Sequence, residues 1–268
     1  TYVKPEQVVE VVQNQARLAV DFGFWFWPEG QVPTGDTHIR INVAASRDNV
    51  LLAMEQLSGF SEEREAQILE NEDKLDTYED RLGSYLVDVS QHGVSMADIR
   101  TVSRLLHAIG DFERIGDHAI NIQDSARELH EKELRFSPTA EKELQVLGTA
   151  LEDILFQVVS SFNQDDPAAA KAVEPLEETI DQLTEEIRMR HIQRLQTGEC
   201  TIQLGFVLND LLTNLERVSD HCSNIAVCVI EERDSSVDHH AYLHRLKVDD
   251  NFAEELREDL SKYRLPNA

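Results

Sequence analysis

Asp111-Phe112-Glu113-Arg114-Ile115-Gly116-Asp117-His118-Ala119-Ile120-Asn121-Ile122 has a second, diverged copy in this chain, Asn214-Leu215-Glu216-Arg217-Val218-Ser219-Asp220-His221-Cys222-Ser223-Asn224-Ile225. Glu, Arg, Asp, His, Asn and Ile recur in the same order and at the same spacing, with aliphatic residues matched between them. In both copies the Glu and the Asp are four residues apart. On a helix of 3.6 residues per turn, that spacing stacks the two carboxylates on one face. A duplicated pair of stacked acids points to a duplicated helical unit.

The flanking sequence repeats as well. Before the first copy, Val50, Met54, Leu57 and Phe60 mark a helix beginning near Ala44, and Leu75, Tyr78, Leu82, Tyr85 and Val89 mark a second over about 63–90. Gly93 ends the turn, and Ser95 is placed to cap a third helix that runs to about His130. The second half predicts a helix over 141–162, a turn at 163–167, a helix to about Gln196 closed by Gly198, and a last one over about 201–232. Phe60 matches Phe162, Leu75 matches Ile180, Gly93 matches Gly198 and Ile99 matches Ile202. The expected fold is all-α: two tandem three-helix bundles related by internal duplication, plus an N-terminal extension and a short C-terminal helix. Residues 1–43 form the extension, 44–136 the first repeat, 137–234 the second, and 235–268 a charged tail with a helix over 252–263. Within the extension, 5–22 reads as a helix with Val8, Val12, Leu18 and Phe22 on one stripe. It leads into the Trp/Phe cluster of 22–28, which suits a membrane interface or, more often, the capped end of a bundle core.

Composition narrows the partners. The 268 residues carry a formal net charge of −26, which repels nucleic-acid phosphates and anionic lipid and attracts cations. Hydrophobic residues at 41% against 28% charged are those of a folded chain, and Cys200, Cys222 and Cys228 form no paired motif, as in a reducing compartment. No apolar run is long enough to span a bilayer.

Each second helix repeats the spacing of the motif, with Glu72 and Asp76 in the first repeat and Glu177 and Asp181 in the second. If the second and third helices of a repeat pack antiparallel, four carboxylates converge beside the core: Glu72, Asp76, Glu113 and Asp117, then Glu177, Asp181, Glu216 and Asp220. Like charges at this spacing destabilise a helix by a few tenths of a kcal/mol per pair, so such a group takes up protons or a cation. All-oxygen ligands favour hard ions such as Mg²⁺, Mn²⁺, Ca²⁺ or iron. The expected cofactor is a divalent or trivalent metal ion held through carboxylates, with iron, Mn, Mg and Zn as candidates. His118 and His221 follow the ligand aspartates but point about 100° away. The competing account makes these acids ordinary members of an acidic chain, ion-paired with Arg114 and Arg217. His239, His240 and His244 in the tail read as exposed rather than ligating. No histidine has a glutamate three residues before it, as a di-iron bundle needs, and no nucleophile elbow or phosphate-cradling glycine loop occurs, so an enzyme is not expected.

At these residues the chain resembles the PhoU family, whose signature is tandem three-helix bundles with Glu/Asp-x-x-x-Asp motifs and a stretch like Leu215-Glu216-Arg217-Val218-Ser219-Asp220-His221. The resemblance runs from about Ala44 to Glu232. It implies metal ions, including multinuclear iron clusters, held by the eight carboxylates, and a role in regulating phosphate uptake and signalling. His240-Ala241-Tyr242-Leu243 and the closing stretch Tyr263-Arg264-Leu265-Pro266 resemble the cytoplasmic C-terminal region of bacterial sodium/phosphate cotransporters. The expected function is therefore a cytoplasmic, metal-binding regulatory domain of such a transporter, with the transporter membrane domain or other phosphate-transport proteins as partners and a homodimer as a further option. The runner-up is a free-standing PhoU-type adaptor, and a weaker third reading is a metal-dependent phosphohydrolase. The start at Thr1-Tyr2-Val3 fits a domain cut from a longer protein. Two features depart from the family pattern: residues 1–43 have no counterpart in it, and Asn214 stands where the first copy has Asp111.

Overall fold

Every long apolar periodicity of the two repeats becomes a helix in the structure, a computed structural model that describes residues 20–23, 38–41, 44–91, 96–231 and 250–266. The first repeat comprises α1 (Ala44–Ser58), α2 (Glu62–Ser90) and α3 (Met96–Glu131). The second comprises α4 (Pro138–Gln164), the short α5 (Pro167–Lys171), α6 (Val173–Thr197) and α7 (Ile202–Glu231), and α8 (Asp250–Lys262) follows. Ser137 caps α4, its hydroxyl accepting from the Ala140 N–H at 3.2 Å, and Pro138 takes the first position, where a missing N–H costs nothing. Asp166 starts α5 by accepting from the N–H groups of Ala168 and Ala169. One helix was expected between Pro167 and Gln196, and there are two, because Pro175 has no N–H to offer the carbonyl of Lys171. Gly198 closes α6 at φ 77°, a left-handed conformation that glycine adopts without strain.

α3 and α7 lie side by side at the centre. They run antiparallel, since Arg104 near the start of α3 donates to the Glu231 carbonyl at the end of α7 at 2.7 Å. α1 and α2 pack on α3, α4 and α6 pack on α7, and α1 also touches α4. Ile68, Leu82, Ile115 and Ile122 of the first repeat share one core with Leu151, Ile154, Ile180 and Leu208 of the second. Each of these eight is fully buried, which at about 1.5–3 kcal/mol per large aliphatic side chain makes the shared core the main source of stability.

The C-terminal segment is fastened to the second repeat. Phe252, Tyr263 and Leu265 are buried, the Tyr263 hydroxyl donates to Asp153 at 2.5 Å, and Arg190 donates to the Pro266 carbonyl at 2.6 Å. Beneath it, the fully buried Glu143 of α4 takes Arg194 through both oxygens, at 3.1 and 2.8 Å, and Arg190 at 3.3 Å.

β1 (Val20–Gly23) and β2 (His38–Ile41) pair antiparallel, Val20 opposite Ile41 and Gly23 opposite His38, with β2 lying against α4. This corrects the helix expected through Phe22. Val20-Asp21-Phe22 and Ile39-Arg40-Ile41 alternate apolar and polar, the period of a strand. It is the one departure from all-α architecture among the described residues. Residues 1–19, the Trp/Phe cluster beyond Gly23, and His239, His240 and His244 lie outside the described residues. No helix among the described residues is long and apolar enough to cross a membrane.

Candidate metal centres

The eight predicted acids sit in pairs on α2, α3, α6 and α7, each pair one helical turn apart. What brings two helices' acids together in the first repeat is Gly116. A Cβ there would stand 2.8 Å from Leu75 Cδ1, so glycine lets α2 lie tight against α3, one residue away from both Asp76 and Asp117. Glu72, Asp76 and Asp117 each place a carboxylate oxygen within 4.8 Å of the other two, and Glu177, Asp181 and Asp220 do the same in the second repeat. The two triads differ in depth: Asp76 and Asp117 are exposed, whereas Glu177 is buried and Asp181 and Asp220 are half-buried.

Glu113 and Glu216, expected as fourth members, fall outside the triads. Glu216 is engaged by Arg188 at 3.3 Å, and that guanidinium also holds Glu185 at 2.7 Å. Glu113 stands one turn before Asp117, where burial and then the charges of Asp117 and Asp76 push its carboxyl up to about 7. Burial and the neighbouring acids also raise Glu72 and Asp76. Asp220 is raised by burial against the pull of Arg217, which reaches it at 3.4 Å. Carboxyl groups held above their ordinary range by burial and by one another favour a proton or a cation between them. Three carboxylates drawn from two rigid helices are a donor set suited to a hard ion, so Glu72, Asp76 and Asp117, and Glu177, Asp181 and Asp220, are the residues that fit a metal.

The histidines of the motif do something else. His118 Nδ1 lies 2.9 Å from Asn214 Oδ1, and His221 Nδ1 lies 2.9 Å from Asp111 Oδ1, each bond crossing from one repeat to the other. The two rings stack with centroids 5.5 Å apart, and the Asn224 amide also donates to Asp111 at 3.3 Å. Because amide and carboxylate oxygens accept, Nδ1–H is the donor in both cases. Burial lowers the pKa of His118. The signal for this seam was present in the repeated stretch: Asp111 and His118 are seven residues apart, as are Asn214 and His221, which is two turns on one face.

The fold has counterparts in known proteins. A family model described as the PhoU domain matches residues 44–126 and 144–229, the two helical repeats. The phosphate-specific transport system accessory protein PhoU homolog 1 of Thermotoga maritima is 25% identical over 179 residues, covering 66% of this chain and 76% of that protein. The crystal structure of PhoU from Pseudomonas aeruginosa superposes with a TM-score of 0.67 at 22% identity, covering 72% of this chain and 92% of that one. The phosphate transport system regulatory protein PhoU from Streptococcus pneumoniae superposes with a TM-score of 0.62 at 20% identity, covering 73% and 90%. These two likenesses show the fold, and the family match spans more than half of the sequence with both acidic triads inside it. The chain belongs to the PhoU domain family.

Proposed function

We propose that this chain is a non-enzymatic accessory regulator of phosphate transport that loads metal ions through its two carboxylate triads. The observation that carries the reading is the duplication itself: Glu72, Asp76 and Asp117 converge in one repeat as Glu177, Asp181 and Asp220 do in the other. Relatives named as accessory proteins of a phosphate-specific transport system support an accessory role over the expected transporter domain, and they make proteins of such a system the expected partners. A bound cation would supply the positive charge that the stacked acids lack. The residues themselves then fix its effect: the triad on α2 and α3 ties two helices of one repeat together, and the triad on α6 and α7 ties two of the other.

Elemental analysis of protein purified without chelator tests this, on the wild type, Asp117→Asn, Asp220→Asn and the double variant. Each single change should remove one repeat's share of metal and the double change both, with helix content unchanged because these side chains flank the core. Saturable binding to the folded state should also raise its stability by about 2.7 kcal/mol at a hundredfold excess of ion over Kd, beyond the effect of matched NaCl. Metal content unaltered in the double variant sinks the assignment.

A further inference from the structure

Where α8 crosses the second repeat it leaves an open groove of about 480 Å³. This end of the chain lies beyond the residues that the family model matches. The floor is the exposed ring of Phe156 of α4 with the buried Leu176 of α6 beneath, and the walls carry Asp153, Glu255, Glu258 and Asp259. Phe156 is 63% exposed, a large aromatic surface left in water beside four acids. Lys262 is the one cation lining the groove among the described residues, and it is already committed, donating to Asp153 at 2.8 Å and lying 4.6 Å from the centre of the Tyr263 ring. Glu255, Glu258 and Asp259 follow one another at three and four residues along α8, so all three acids stand on the same side of that helix. Burial pushes the Asp259 carboxyl up, with Glu255, Glu258 and Asp153 adding to it against the pull of Lys262.

We propose that this groove docks a cationic amphipathic segment of a partner protein, its apolar face on the exposed Phe156 ring and its lysine or arginine side chains on Glu255, Glu258 and Asp259. Charge complementarity selects that occupant over the others. Anionic lipid is repelled by the acidic walls, and a second copy of a chain with net charge −26 brings more of the same sign. A bare polyamine would satisfy the walls and leave the aromatic floor in water. An apolar helix face with flanking cations satisfies both, the cations lying close enough to Phe156 to gain from its ring. The proposal is independent of metal loading, since none of the triad residues lines the groove.

The test is fluorescence anisotropy of the full chain with a labelled peptide of leucine, lysine and arginine arranged at helical spacing, set against a scrambled peptide of the same composition. The groove variant combines Phe156→Ser, Glu255→Gln and Glu258→Gln, all exposed positions whose change leaves helix content intact by circular dichroism. A control variant carries Glu62→Gln and Glu63→Gln, also exposed. The groove variant should bind the ordered peptide roughly tenfold more weakly, with the control unchanged and the scrambled peptide roughly tenfold weaker on the wild type. Equal binding by wild type and groove variant overturns the proposal. So does a Phe156→Ser single variant that binds as tightly as the wild type, which would leave general charge attraction alone. Flotation with phosphatidylglycerol vesicles that depends on Phe156 would assign the groove to a membrane and overturn it as well.

Discussion

Glu143→Ala should destabilise the second repeat far more than the loss of any exposed acid. Glu143 is fully buried on α4, and both of its oxygens are occupied by Arg194, whose side chain is only 11% exposed. The pair as a unit contributes little, because desolvating two charges offsets most of their attraction. Breaking it is different. Without the carboxylate, Arg194 keeps a buried guanidinium stripped of its bidentate counter-charge, and its Nε already lacks a hydrogen-bond partner among the described residues. That situation costs about 3–5 kcal/mol, roughly a fifth or more of the 5–15 kcal/mol that typically holds a domain folded. Arg190 loses less, since Glu186 at 2.6 Å and the Pro266 carbonyl still hold it. Urea denaturation followed by far-ultraviolet circular dichroism measures the loss. Glu143→Met combined with Arg194→Met should recover most of it, because the double change removes both charges. A loss under about 1 kcal/mol for Glu143→Ala, or a double variant whose loss equals the sum of the singles, refutes the reasoning.

Two further outcomes are expected in the first repeat. Glu113 has a folded pKa of about 7 against an ordinary 4.5, so between those values the folded chain keeps a proton that the unfolded chain has shed. Stability of the metal-free protein therefore falls as pH rises through that window, and Glu113→Gln should leave it unchanged near pH 4 but raise it near pH 8 by at most about 1 kcal/mol once solvent screening is allowed for. Thermal melts in chelator check this, and superimposable curves at the higher pH would contradict it. Gly116→Ala adds a Cβ against Leu75. Its crowding cost of about 1 kcal/mol roughly cancels the gain in helix propensity, so stability should barely move while metal binding in the first repeat weakens relative to the second. A gain of a full 1 kcal/mol with unaltered metal content would show that α2 and α3 need no close approach there.

The helices and the duplication were legible because they rest on periodicity. Val50, Leu75 and Leu82, each placed on a helical stripe from the sequence, are core residues in the structure. The acids were legible as pairs, since a spacing of four fixes them on one face. Which member of a pair reaches across to the next helix was not, because that depends on the axial offset between two helices. The offset is set by contacts such as Gly116 on Leu75 and by the competing grip of Arg188 on Glu216. Glu143 could not be told from Glu141 two residues before it: a single charged residue on an otherwise amphipathic stripe looks solvated until its arginine partners, some fifty residues later, are placed. The end of the expected N-terminal helix failed for another reason. Phe22 continues the helical stripe of Val8, Val12 and Leu18, while Val20-Asp21-Phe22 alternates as a strand does, and pairing with His38–Ile41 decides for the strand.

The seam between α3 and α7 records what joining the two units in one chain made possible. Its reciprocal contacts, each histidine bonding to the position two turns before the other, are those of an isologous dimer, with the stacked imidazoles on the twofold axis. In a dimer of identical subunits one residue would have to serve at both 111 and 214, and the axis would be flanked by two aspartates or by two asparagines. A covalent link lifts that constraint. Position 111 is acidic opposite His221 and position 214 is a neutral amide opposite His118, so the axis carries one carboxylate instead of two. The same release from symmetry lets one triad lie open and the other lie deep, and lets Arg188 claim the glutamate of one repeat alone. Two acidic triads that began as copies are thereby free to diverge in depth and in partners within a single folded unit.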